Sequence, residues 1–127
     1  MVVYLDSSAL AKLLIVEPET AALRDRCHGE DLVTSEVGWI ECMRVVRRQA
    51  GDIEAAEQTL TPVFRLTTDL LLSRDAALLE PVSLRTLDAI HLSSALRVSQ
   101  DLTAFVCYDK RLAEAAALHG LPVESPA

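Results

Sequence analysis

Carboxylates at four places in this chain have the type and surroundings to support hydrolytic chemistry. Asp6 ends the short β-rich run Val2-Val-Tyr-Leu5, and Asp109 follows the run Thr103-Ala-Phe-Val-Cys-Tyr108. Both precede helical sequence, so each can project from a strand tip into the crevice that parallel sheets leave beyond the carboxyl ends of their strands. Each is also the residue type that caps a helix by accepting a backbone N–H. Asp88 is harder to explain as a structural residue. On a helix of 3.6 residues per turn it shares a face with Leu84, His91, Leu92 and Ala95, interrupting an apolar side. A buried ionised carboxylate needs a cation, a hydrogen-bond network or a metal; a place in the first helical turn, eased by the dipole, is the milder account. Glu41 falls with Arg44 and Arg48 on the polar side of its helix, away from Trp39, Cys42, Met43 and Val46, and an i, i+3 surface pair with Arg44 explains it without chemistry.

The elements that must position these acids alternate between strand and helix. Strand signals cover residues 2–5, 31–34, 64–66 (weakly), 103–108 and the edge segment 122–124. Helices are expected over Ala9–Val16, ended by Pro18, then Glu19–His28, Ser35 or Glu36 to Ala50, and Ile53–Leu60. Three more run from a cap at Thr67, Thr68 or Asp69 to Glu80, from Arg85 or Thr86 to Val98, and from Lys110 to His119, where Gly120 is the expected C-cap. This alternation with short connections predicts an α/β sandwich with a mainly parallel sheet. The helices after Gly51 and over Leu70–Leu79 carry more apolar residues than one face can bury, so they are expected to offer contact surface.

With 127 residues the chain has the length of one domain and enough sequence to bury a core. The formal net charge is −7, with 19 acidic residues against 12 Lys and Arg, which excludes nucleic-acid binding through a basic surface alone. Divalent ions held by converging acids would supply the missing positive charge. No apolar run reaches the roughly eighteen residues of a membrane span, and the N-terminus lacks a basic signal-peptide head, so cytoplasm is the expected compartment. Cys27, Cys42 and Cys107 show no paired or zinc-binding spacing and are expected as small buried residues. Arg44, Arg47, Arg48 and Arg85 either line a substrate path or form ordinary solvated faces. His91 is expected to be a packed or hydrogen-bonded helix residue, and Lys12 either a surface residue or one that reaches a phosphate or a partner acid.

The successive segments Tyr4-Leu-Asp-Ser-Ser-Ala-Leu-Ala-Lys12, Thr34-Ser-Glu-Val with Glu41 beyond it, Leu84-Arg-Thr-Leu-Asp-Ala-Ile-His-Leu92 and Cys107-Tyr-Asp-Lys-Arg-Leu112 resemble the motifs of VapC-type PIN-domain toxins, in order and over almost the whole chain. The resemblance implies a single three-layer α/β/α domain over residues 1–127. It further implies endoribonuclease activity with Mg²⁺, or Mn²⁺, held by an acidic quartet, which carried over by position is Asp6, Glu41, Asp88 and Asp109. Ser7 matches a small hydroxyl position that helps hold the site. Cys107 departs from the pattern, since the family usually has Thr or Ser there and a thiol is a poor donor. Also implied are a cognate VapB-like antitoxin, operator DNA contacted only through it, and a homodimer.

Other readings of an Asp at the first strand tip fit less well. A haloacid-type hydrolase needs a second Asp where this chain has Ser8, and a receiver needs a phosphoacceptor after a middle strand, which Phe64-Arg-Leu-Thr-Thr68 does not supply. A PIN-like binding module without turnover, acting in an autoregulatory complex, stays open because of Cys107.

Overall fold

A computed structural model describes residues 1–127. The chain runs β1 (Val2–Leu5), α1 (Ser7–Leu14), α2 (Thr20–Cys27), β2 (Asp31–Ser35), α3 (Glu36–Arg48), α4 (Ile53–Leu60), β3 (Phe64–Leu66), α5 (Leu70–Leu78), α6 (Thr86–Arg97), β4 (Leu102–Val106), α7 (Lys110–Leu118) and β5 (Val123–Glu124). The strands form one sheet in the order β3-β2-β1-β4-β5, and every neighbouring pair is parallel. Helices cover both faces, giving the expected three-layer α/β/α sandwich.

Alternation along the central strands assigns the two layers. Val3 and Leu5 of β1, with Ala104 and Val106 of β4, pack against α1, α2, α3 and α4. Tyr4 and Phe105 point the other way and pack with Leu92 and Ala95 of α6 and Leu112, Ala115 and Ala116 of α7. Both faces of β1 are therefore buried, which is why its sequence reads as an unbroken apolar run rather than an alternating one. β1 lies between β2 and β4, so the connections leave it on both sides, and the crevice beyond its carboxyl end is a topological switch point. The pairing of Leu5 with Val106 sets the tips of β1 and β4 side by side there.

Several boundaries shift for local reasons. α1 starts two residues earlier than expected because the Asp6 carboxylate caps it, and it ends at Leu14, where Ile15 is already extended. α5 stops at Leu78 rather than Glu80, with Leu79 already extended two residues ahead of Pro81. β4 ends at Val106, two residues short, where the chain turns into the Asp109 cap of α7. Gly120, at φ +81°, ends α7 as expected: its N–H bonds to Ala117 and that of Leu121 to Ala116, the paired bonds of a Schellman turn. Outward apolar surface is concentrated on α5 and the segment after it, where Leu70, Leu71, Leu78 and Val82 are exposed, and not on α4, whose large apolar residues are turned inward. No helix is long and apolar enough to cross a membrane.

Candidate active site

All four acids face a single cavity of about 430 Å³ at the carboxyl ends of β1 and β4. Asp6, Ser7, Ser8 and Ala11 come from the start of α1, Glu41, Cys42 and Val45 from the middle of α3, Arg85, Leu87, Asp88 and His91 from the start of α6, and Asp109 from the cap of α7. The two readings of Asp6 and Asp109, helix cap or strand-tip acid, turn out to be compatible. Asp6 Oδ1 accepts from the Ala9 N–H at 2.9 Å and from the Ser8 hydroxyl at 2.6 Å. Asp109 Oδ1 accepts from the Leu112 N–H at 3.2 Å. Capping thus occupies one oxygen of each carboxylate, and both residues still line the cavity.

Asp88 is the acid whose surroundings ask for a cation. Its Oδ2 is buried without a hydrogen-bond partner, and the nearest positive charge is Arg85 Nε at 3.4 Å. The same guanidinium lies 3.4 Å from Asp109 Oδ2, so Arg85 spans two of the four acids. No three acidic, His or Cys groups stand close enough together to hold a metal ion.

Burial pushes the Asp6 carboxyl above its usual range; hydrogen bonds from Ser8 and Ala9 oppose the shift and the negative charge of Asp88 adds to it. Burial also raises Asp88, against the pull of Arg85 and with the repulsion of Asp109. These acids repel one another through a desolvated site, the condition that a hard divalent cation relieves. The donor set is all oxygen, which suits Mg²⁺ or Mn²⁺ and not a thiolate-seeking metal.

Glu41 does not form the expected surface pair with Arg44: it lines the cavity, while Arg44 and Arg48 are exposed on the same helix and outside that lining. Of the arginines considered from sequence, Arg85 alone enters the cavity wall.

Residues 3–118 match the PIN domain family. The chain belongs to that family and, within it, to the VapC proteins. It is 43% identical to Ribonuclease VapC47 of Mycobacterium tuberculosis (strain CDC 1551 / Oshkosh) over 98% of this chain and 96% of that one. Identity to Ribonuclease VapC46 of Mycobacterium tuberculosis (strain ATCC 25618 / H37Rv) is 39%, over 98% of this chain and 97% of the relative. The crystal structure of Mycobacterium tuberculosis VapC20, described as a sarcin–ricin loop cleaving toxin, superposes with a TM-score of 0.67 at 15% identity, covering 98% of this chain and 99% of that one, which supports the fold.

This VapC-type PIN domain supports its acids with residues that sequence reasoning passed over. Ser8 holds Asp6 and also accepts the Tyr108 N–H at 3.0 Å, tying the tips of β1 and β4 together. Its place two residues after Asp6 at a helix start was the available signal, since a Ser there can bond back to the capping residue. Cys107 is fully buried, and its Sγ donates to the Asp109 carbonyl at 3.3 Å, so the thiol bonds to the turn that presents Asp109 despite being a weak donor. Burial raises its pKa and keeps it neutral. Cys42 donates to the Ser7 carbonyl at 3.4 Å, and burial pushes its thiol up to about 12. All three cysteines are free and buried, as expected. Lys12 is not a surface residue: its side chain is 12% exposed and its Nζ is paired with Glu17 at 2.7 Å and Glu19 at 3.3 Å.

Proposed function

We propose that this chain, as a single PIN domain over residues 1–127, is a metal-dependent endoribonuclease and the toxin of a type II toxin–antitoxin pair. The observation that carries the reading is the convergence of Asp6, Glu41, Asp88 and Asp109 on one cavity, with Asp88 Oδ2 buried without a hydrogen-bond partner and met only by Arg85. Asp6 and Asp109 would be the direct ligands for Mg²⁺ or Mn²⁺, with Glu41 and Asp88 completing the set directly or through water. A divalent ion held there would supply positive charge at the phosphodiester and lower the pKa of a water. Asp6 holds its position because Ser8 and the Ala9 N–H fix one of its oxygens, and Cys107 and Leu112 hold the Asp109 turn. Arg85, exposed over 68% of its side chain, is free to leave the acids and meet the RNA backbone, with Arg44 and Arg48 as outer phosphate contacts.

Membership of the VapC proteins supports a VapB-like antitoxin partner in the cytoplasm, with operator DNA reached only through that partner. The exposed leucines of α5 support a homodimer or antitoxin contact. A binding module without turnover is the second reading; Cys107 favours it to the extent that a thiol replaces the hydroxyl usual in the family.

Cleavage of total cellular RNA by antitoxin-free protein tests the proposal, with Mg²⁺, Mn²⁺ or EDTA and beside Asp6→Asn and Asp88→Asn. Discrete fragments that require metal and vanish in both variants are expected. No cleavage by well-folded wild type with either metal would move the assignment to the binding module.

A further inference from the structure

Three polar groups outside the acidic quartet form a buried chain that ends in the cavity. Tyr4 Oη lies 2.7 Å from His91 Nδ1, and Ser7 Oγ lies 2.8 Å from Nε2 of the same ring. Tyr4 is fully buried and His91 nearly so, whereas Ser7 is half-buried on the cavity wall. Gly38 in α3 makes the seat for the imidazole: a Cβ there would fall 2.4 Å from Cε1 and 2.9 Å from Nε2. A glycine inside a helix costs about 1 kcal/mol against alanine, so the close approach of the ring accounts for a residue that helix propensity disfavours.

The chain has a direction. Burial pushes the His91 pKa down to about 4, so the ring is neutral near pH 7 and has one N–H donor and one bare nitrogen acceptor. A buried phenol needs an acceptor for its proton; Ser94, Thr34 and the Ser35 backbone act as donors toward the Tyr4 oxygen, and His91 Nδ1, at 2.7 Å, is the acceptor it meets. Tyr4 therefore donates to Nδ1, the ring proton sits on Nε2, and Nε2–H donates to Ser7 Oγ. A hydroxyl that accepts on that side turns its own proton away from the ring, toward the cavity. There the incoming group is a phosphate anion among four acids, and it needs neutral donors as much as cations.

We propose that Tyr4 and His91 are positioning residues that fix the Ser7 hydroxyl as a hydrogen-bond donor to a non-bridging oxygen of the RNA phosphodiester. The proposal deepens the ribonuclease reading and rests on it for the identity of the acceptor. Its internal part, the direction of the relay, stands on the protein alone.

Two measurements test it on the full-length protein. The first is ¹⁵N NMR of the His91 side chain without RNA or metal, in wild type and in Tyr4→Phe. A protonated Nε2 and a bare Nδ1 are expected in wild type, and loss of that preference in Tyr4→Phe; a protonated Nδ1 in wild type would overturn the relay. The second is single-turnover cleavage of an RNA oligonucleotide by Ser7→Ala, Tyr4→Phe and the double variant, with melting temperatures measured in parallel. Ser7→Ala and Tyr4→Phe should each slow cleavage about tenfold, the worth of one hydrogen bond. The double variant should be no slower than Ser7→Ala, although Tyr4→Phe lowers the melting temperature in both backgrounds. Multiplying rate losses would make Tyr4 a merely structural residue and sink the proposal. Absence of cleavage by wild type with Mg²⁺ and Mn²⁺ would remove the phosphate contact along with the ribonuclease reading, and the NMR result would still decide the relay.

Discussion

One wall of the acidic cavity is buried and tied down by hydrogen bonds, whereas the opposite wall is more open and, apart from the cap that fixes Asp109, held by ion pairs at 3.4 Å. On the first wall Asp6 is 3% exposed and bonded to Ser8 and Ala9, and Ser7 is bonded to His91. On the second, Arg85 spans Asp88 and Asp109 with 68% of its side chain in solvent. Hydrogen bonds fix an angle as well as a distance, and a solvated guanidinium fixes little of either. The first wall therefore presets geometry, and the second can rearrange when a cation or a phosphate arrives. Burial is what makes the difference: both walls carry acids, but Asp6 is almost fully out of solvent whereas Arg85 and Asp109 are not.

The largest effect that bears on this contrast is expected from Asp6→Asn. Asparagine keeps the helix cap and removes the charge, so metal-dependent cleavage should fall by at least about a hundredfold while the fold persists. Because the folded-state pKa of Asp6 is raised, the native protein binds more protons than the unfolded chain just above the ordinary carboxyl range, and ionisation lowers stability as pH rises through that window. The metal-free variant should consequently melt no lower than wild type at neutral pH and lose the added stability that Mg²⁺ gives; a clear drop in its melting temperature would show that the rigid wall depends on the charge itself.

His91 supplies the next effect. Its pKa falls from 6.5 to about 4 on folding, so the unfolded chain binds more protons in that interval, and stability is lost as pH drops from 6.5 toward 4. The loss is on the order of 3 kcal/mol, and urea titrations at several pH values should find it in wild type and not in His91→Gln. Gly38→Ala should destabilise by about 1–3 kcal/mol in thermal melts, since the ring it displaces is bonded at both nitrogens, even though alanine favours a helix. A stabilised variant would mean that the first wall has slack. Arg85→Gln is expected to have the smallest effect. It should barely change stability, and calorimetry should show roughly threefold tighter Mn²⁺ binding in the absence of RNA, because the competing cation is gone. Weaker binding would show that Arg85 organises the acids instead of competing for them.

Much of this site was legible in the sequence because its acids are marked by local rules. Asp6 and Asp109 stand at strand-to-helix junctions, and Asp88 interrupts an apolar helix face, so each carries its anomaly with it. Glu41 carries none: a helical wheel places it beside Arg44, and only the packing of α3 against α1 and α6 turns it to the cavity. The Tyr4–His91–Ser7 chain was not legible for a related reason. Its members lie 87 and 84 residues apart, and nothing in a neutral His on an apolar face says which hydroxyl it meets. Gly38 left a trace as a glycine within a helical pattern, but a trace without a partner. The strands and the parallel sheet followed from apolar runs between turn residues, while helix ends drifted by up to two residues where a cap or a following proline, rather than periodicity, sets the limit.

The neighbouring tips of β1 and β4 also bear on timing. During synthesis Asp6 emerges about a hundred residues ahead of Asp109, and the cavity exists only once β4 has docked against β1. That pairing closes a loop of about a hundred residues, the slowest kind of contact for a chain to make. A nascent chain in which β4 has not yet emerged therefore lacks a complete acidic cavity, so the capacity to act on RNA is withheld until that strand has left the ribosome and docked.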